Sequence, residues 1–417
     1  MYTFLIKLAT LICLIFMSEA IFPLLAVPTR EEVVDFGLQT IPATPLWYHV
    51  YYDLFWMASA TLCLLERKRI IFIFQKNKGV FFLLGFMLLS CAWSLDPGKS
   101  LYFVAKILWA FFFGLFLVSR FSTKEILSLL WMWAATIILA DWFFVLLLPH
   151  YAMEADGSWR GAFGDRNESA MVSNIAFATM IVAASGIRNV WWTSIGMALL
   201  AVVLIVMSGS ATGIITLCAL CISGLLIRFA RMHWRLCLIL LLAGMCFTIL
   251  IMLLTAVTPQ LSHFFMLLGK DETLTGRLDI WTGIVNAIHG HLLGGYGAQD
   301  LFITTRGQVL TESYVSPDGD FAAMAPHNLY FAIVLKYGLI GAALFAWVAC
   351  KAVSVSLQQL MGTSVMRYWY ILFMIASCIF GLTLTIDYKI LLWMLLALVL
   401  GSPYMRDADE RLTVQSL

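Results

Sequence analysis

Long apolar runs separated by short polar breaks fill almost the whole chain. A helix needs about 20 mostly apolar residues to cross the hydrocarbon core of a bilayer. Twelve runs come close to that length, near 3–22, 47–65, 79–95, 101–119, 125–149, 168–186, 190–208, 210–227, 235–258, 327–350, 367–386 and 388–403. The pairs meeting at Gly209 and at Asp387 read as tight hairpins. The pattern predicts an all-α polytopic membrane protein of about twelve transmembrane helices. One long extramembrane stretch, 259–326, separates the ninth and tenth. The first run could pass for a signal peptide, with "SEA" imitating a cleavage site. Its charged start is poor, however, and eleven more runs follow, so an uncleaved first membrane helix is expected.

The polar breaks differ in charge. "ERKRIIFIFQKNK" (66–78) holds Arg67, Lys68, Arg69, Lys76 and Lys78. Arg120 and Lys124 follow the fourth run, and Arg228, Arg231 and Arg235 lie between the eighth and ninth. All fall on one side, assigned to the cytoplasm because basic residues gather in cytoplasmic loops. Both termini then lie inside. The opposite side is acidic: the long stretch has seven acidic residues against Lys270, Arg277 and Arg306. Within it, Leu278, Trp281, Val285 and Ile288 recur at helical spacing. A short amphipathic helix lying on or against the external membrane surface is expected there, followed by the glycine-rich "HLLGGYGAQDLF".

Composition agrees with lipid as the main solvent. The chain is 62% apolar and 12% charged, against roughly 25% charged in a soluble domain. A net charge of +2 offers nucleic acid no electrostatic footprint. The nine cysteines fall in or beside apolar runs. Cys218 and Cys221 form a C-x-x-C, which reads as two small apolar residues on a membrane helix rather than a redox pair. No metal-ligand spacing stands out, and no metal or cofactor is expected.

Candidate chemistry concentrates on the acidic face, where each arginine runs against the charge bias. "GSWRGAFGDRNESA" (157–170) carries Arg160 and Arg166 among glycines that let a ligand approach the backbone. Arg277 opens the amphipathic helix. His327 and Asn328 open the tenth run in "PHNLYFAIVLKYGLIG". Singly, each residue has a bland reading as a headgroup contact, a salt bridge or an interfacial histidine. Lys106, Asp141 and Lys336 fall inside predicted spans, where charge is costly and marks function. Asp53 sits near a span end.

"GRLDIWTGIVNAIHGHLLGGYGAQDLF" followed by "PHNLYFAIVLKYGLIGAALF" resembles the bacterial O-antigen ligase and polymerase superfamily. The resemblance rests on Arg277, Ile280-Trp281, Gly295-Tyr296-Gly297, His327-Asn328 and Gly338, the last pair meeting an H-x10-G spacing. "WSLDPGKSL", "WRGAFGDRNESA" and "MSGSATGIITL" look like family segments in order. Lys336 departs from an acidic residue common in relatives. Arg306, in an R-x3-L pattern, is second choice to Arg277.

What the resemblance implies is one membrane-embedded glycosyltransferase domain over 1–417 in the bacterial inner membrane, its active site facing the periplasm. The donor would be an oligosaccharide or polysaccharide on undecaprenyl diphosphate. The acceptor would be lipid A–core in a ligase, or a second lipid-linked repeat in a polymerase. Catalysis would be inverting and metal-independent. His327 would be the base, taking the acceptor proton, since imidazole titrates near neutral pH. Arg277 and Arg160 would stabilise the departing diphosphate. Arg166, Arg306, Asn328 and Lys336 would bind substrate. A secondary transporter is the rival from another class, but repeated halves, usual in transporters, are not visible here.

Overall fold

The computed structural model describes residues 2–20, 46–232, 277–298, 326–386 and 389–405. Among these the chain is helical, with no β-strand. The helices are α1 (Tyr2–Met17), α2 (Leu46–Leu65), α3 (Arg67–Lys76), α4 (Lys78–Ser90), α5 (Pro97–Arg120), α6 (Thr123–Leu147), α7 (Arg166–Gly186), α8 (Trp191–Met207), α9 (Ala211–Met232), α10 (Arg277–Ile288), α11 (Leu329–Leu360), α12 (Arg367–Gly381) and α13 (Ile390–Gly401).

Among the described residues, α5, α6, α7, α8 with its leading turn, and α11 are long and apolar enough to cross a membrane. The bent pair α3–α4 makes a sixth if it is one span. The architecture is that of a multi-pass membrane protein. The expected twelve are not reached by this criterion, because α1, α12, α13 and the apolar parts of α2 (Asp53–Leu65) and α9 (Ala211–Ser223) are shorter than 18 residues. The run at 235–258 and most of 259–326, Arg306 included, lie outside the described residues.

One expected loop is a helix. Residues 67–76 form α3, which meets α4 at 98°. Its apolar residues are too few to span, yet Ile70 and Ile73 are buried on one face. The Asn77 amide bonds the carbonyl of Ile73 at 2.9 Å and separates the two helices.

The core is built on close helix contact. Among the helices long enough to span, α7 is the most enclosed, with buried Ser173, Asn174 and Thr179. Trp369 of α12 donates to the Thr179 hydroxyl at 2.9 Å, so this polar group is satisfied away from lipid. Gly114 lets α5 lie directly on the Met394 carbonyl and Ala397 of α13, where no Cβ fits. Ser122 and Glu125 form a reciprocal capping box at the start of α6.

α11 is two helices joined at Gly338, whose φ of 62° and ψ of −165° are not helical. A break inside a membrane protein frees backbone groups that must find partners. Here the turn after α10 supplies them. Tyr296 N–H and Gly297 N–H donate to the carbonyls of Leu335 and Lys336 at 3.0 and 2.8 Å. In return, Leu339 N–H and Ile340 N–H donate to Leu292 and Leu293 at 2.9 and 3.2 Å. Gly295, Gly297 and Gly338 all have positive φ; a Cβ on Gly295 or Gly338 would overlap the opposing backbone, and one on Gly297 would overlap Ser94 and Ser90. Their spacing is thus a latch between two chain segments. Leu329 and Tyr330 share a cavity wall with Phe345, Val348 and Ala349, although 15 helical residues would separate Tyr330 from Phe345 by roughly 22 Å along a straight axis. The break folds the first segment back into the bundle.

The amphipathic helix α10 packs its apolar face on α11. Trp281, Ile284 and Ile288 bury a face against Phe331 and Leu335 of α11, and the glycine latch continues that contact as far as Ile340.

Candidate functional site

The Pro326–His327–Asn328 turn sets the first part of the site. Asn328, fully buried, is the cap of α11. Its Oδ1 accepts from Tyr330 N–H and Phe331 N–H at 2.9 and 3.1 Å. Its Nδ2 donates at 3.0 Å to the Leu382 carbonyl, just beyond α12. The amide expected to meet substrate is thus occupied in fixing the turn. His327 precedes the cap, half-buried, with φ of 48°. A left-handed non-glycine residue costs about 1–3 kcal/mol and persists where surrounding structure imposes it. The Asn328 bonds are that imposition. The helix starts at Leu329, so Pro326 precedes it, and its carbonyl accepts from Trp281 Nε1 at 3.0 Å.

That bond brings in the second part. Trp281 also stacks on Phe331 with ring centroids 5.4 Å apart. Arg277 is the first residue of α10, four before Trp281, so they lie one turn apart on one side of the helix. The fold docks the head of the Arg277 helix against the turn that carries His327.

The third part is the loop between α6 and α7. Arg160 is fixed through its backbone, with N–H donating to Ala152 at 2.8 Å, and through Nε, donating to the Tyr151 carbonyl at 2.8 Å. The next turn rests on Asp141, fully buried in α6, whose Oδ1 accepts from Ala162 N–H at 2.8 Å. Gly161 lies so close on the Asp141 carboxylate that a Cβ would overlap it. Arg160 makes no ion pair among the described residues. Arg166 differs: its guanidinium pairs with Glu154 and Asp156 and reaches the Ser158 hydroxyl. Bonds from the Ser158 hydroxyl and N–H, together with Arg166, hold the Asp156 carboxyl down at about 2. Arg166 is neutralised by its own loop.

A cluster that the sequence did not single out connects these parts. Lys389, at the start of α13, pairs with Glu168 of α7 and Glu19 beyond α1, all three largely buried. Lys389 thus ties the head of α7 to the start of α13, its own N–H reaches the Ile386 carbonyl, and Leu382, in the turn after α12, holds Asn328. Arg160's loop, His327 and the head of α10 consequently lie at one end of the bundle. The only hint in sequence is that each of the three charges brackets an apolar run. Lys336 is elsewhere: buried in α11, its ammonium lies 4.8 Å from the Phe103 ring centroid, a desolvated cation–π contact. Among the described residues, no group of three His, Cys, Asp or Glu side chains could hold a metal ion.

Comparison with known proteins finds matches over part of the chain. The O-antigen ligase family model matches residues 196–346. The match takes in α10, the His327 turn and the break at Gly338, and leaves out the Arg160 loop. The chain is also 27% identical over 223 residues to the exopolysaccharide production protein ExoQ of Rhizobium meliloti, covering 51% of this chain. It spans about half the length of that relative, 50%. The chain is thus similar to the O-antigen ligase family over 196–346 and to an exopolysaccharide production protein over about half its length.

Proposed function

We propose that the protein is a membrane glycosyltransferase of the bacterial inner membrane that moves a glycan from undecaprenyl diphosphate to an acceptor on the periplasmic face. The observation that carries this reading is the docking of α10 on the Pro326–His327 turn through Trp281. A helix headed by an arginine and a strained histidine share one corner of the bundle. His327 takes the proton of the acceptor hydroxyl as it attacks the anomeric carbon. Arg277 and Arg160 face the leaving diphosphate, where permanently charged, planar guanidinium groups gain most as charge develops. Between the two loop arginines, Arg160 is preferred because Arg166 is already paired with Glu154 and Asp156. Asn328 holds the His327 turn, and Lys336 supports the latch beneath it. The reaction is inverting and needs no metal. The basic breaks face the cytoplasm with both termini, and residues 1–417 act as one membrane domain.

Lipid A–core is the proposed acceptor, as in an O-antigen ligase. The similarity to an exopolysaccharide production protein favours a second reading, polymerisation of lipid-linked repeat units. The test is complementation of a deletion strain, reading the glycan profile. Loss of capped core with lipid-linked polymer accumulating identifies a ligase; single repeats on core identify a polymerase. Full transfer by His327→Ala at unchanged protein level would falsify the role of the histidine in either case.

A further inference from the structure

The opposite end of the bundle holds a second built feature. An open cavity of about 690 Å³ is lined by Leu64, Leu65, Glu66, Arg67, Lys68, Arg69, Ser119 and Arg120, within the roughly 300–1,000 Å³ range of small-ligand pockets. Four of its lining residues are cationic and one is anionic. That anion is already committed, since Glu66 accepts from Arg120 at 3.2 Å. The back wall is rigid: Arg69 donates to the carbonyls of Ser119 and Tyr404 at 3.0 and 2.7 Å. At the mouth, Arg67 and Lys68 are exposed and have no hydrogen bond or ion pair among the described residues.

The helix behind them sharpens the point. The first turn of α3 holds Arg67, Lys68 and Arg69 and no acidic residue, and Glu66 makes no side-chain cap. Cations at a helix N-terminus face the positive end of the macrodipole. An anion in the cavity would satisfy both the cations and the uncapped turn. The apolar lip identifies its source. Leu64 and Leu65 are 64% and 49% exposed beside the charges, and Ile71 and Phe72 are each 51% exposed along α3. A ligand matching this surface is anionic at one end and hydrocarbon at the other.

We propose that this cavity binds the phosphate headgroup of an anionic phospholipid. The acyl chains lie over Leu64 and Leu65, and Arg67 and Lys68 hold the phosphate oxygens. The fit is one of charge and polarity together: bundle-edge basic pockets suit anionic headgroups, and the bend between α3 and α4 sets α3 across its neighbour rather than in line with it. The inference is independent of the transfer reaction, because none of these residues belongs to the site at the other end.

The experiment uses the full chain in detergent, titrated with phosphatidylglycerol or phosphatidylcholine and read by native mass spectrometry. The expected result is one phosphatidylglycerol adduct retained more strongly than any phosphatidylcholine adduct. Arg67→Gln and Lys68→Gln should each weaken it about five-fold, following the usual contribution of one cation near an anionic surface. Arg188→Ala, in the turn between α7 and α8, should leave it unchanged. Exposed side chains are replaced, so a matching thermal midpoint verifies folding. An adduct unaffected by either glutamine variant overturns the proposal. Displacement of the adduct by millimolar inorganic phosphate also overturns it, since the site would then take free phosphate and not a lipid.

Discussion

The turn bearing His327 and the loop bearing Arg160 solve the same problem with different anchors. Each holds one polar side chain at the bundle end through a buried group on or beside the loop. Asn328 is a neutral amide, and both its oxygen and its nitrogen are bonded. Asp141 is a carboxylate in α6, and only Oδ1 has a hydrogen bond among the described residues, while Oδ2 is buried without one. A satisfied amide fixes geometry at little electrostatic cost. A buried carboxylate fixes it equally well but leaves a desolvated oxygen, which is expensive unless something else meets it. The first anchor makes a rigid corner; the second adds one buried bond to a loop that Ala152 and Tyr151 also hold.

The largest expected effect tests the corner itself. His327→Ala should lower glycan transfer by about 10²–10⁴-fold, the usual worth of a positioned base, with the protein folded and inserted. Next, Arg160→Ala should cost about 10²–10³-fold in transfer rate, while Arg166→Ala should cost far less and instead loosen residues 154–158, read by hydrogen exchange. Equal losses in rate would erase the distinction drawn between the two arginines.

The anchors separate in a smaller experiment. Asn328→Ala should lower stability by about 1–2 kcal/mol, as loss of a helix cap does, and reduce transfer by releasing the His327 backbone. Asp141→Asn keeps an acceptor for Ala162 N–H and should stay close to wild type. Asp141→Ala should cost about 1–3 kcal/mol from the stranded donor. Thermal unfolding in detergent measures all three. If Asp141→Asn is as damaging as Asp141→Ala, the carboxylate has a role beyond that bond.

The smallest effect is in pH. The Asp156 carboxyl is held at about 2, chiefly by bonds from Ser158 and then by Arg166. A depressed carboxylate pKa stabilises the fold above the unfolded value, near 4, and that contribution is lost as pH falls through the folded value. Protection of residues 154–158 should therefore be flat from pH 8 to 5 and decline between about 4 and 2. Arg166→Ala should shift the decline upward in pH.

Much of this was legible in residue order. Apolar run length located most of the described helices, because a segment that crosses a bilayer must be long and apolar. The H-x10-G spacing and the G-Y-G turn were visible too, as was Arg277 at a helix start. What spacing could not convey was their purpose: Gly338 breaks α11, and Gly295 and Gly297 bring a second backbone against the break. Those hydrogen bonds join residues about 40 apart. The α3 helix was misread as a loop because its charges suit either.

The chain's own pattern determined the solvent, the helical class and the two faces of opposite charge. These follow from local chemistry, as each run of side chains must match lipid or water where it stands. Only the folded bundle decided that Arg166 is paired while Arg160 makes no ion pair among the described residues, that Asn328 caps α11, and that Glu19, Glu168 and Lys389 meet. Such facts depend on which distant groups a buried charge or amide encounters, and no periodicity along one chain encodes that.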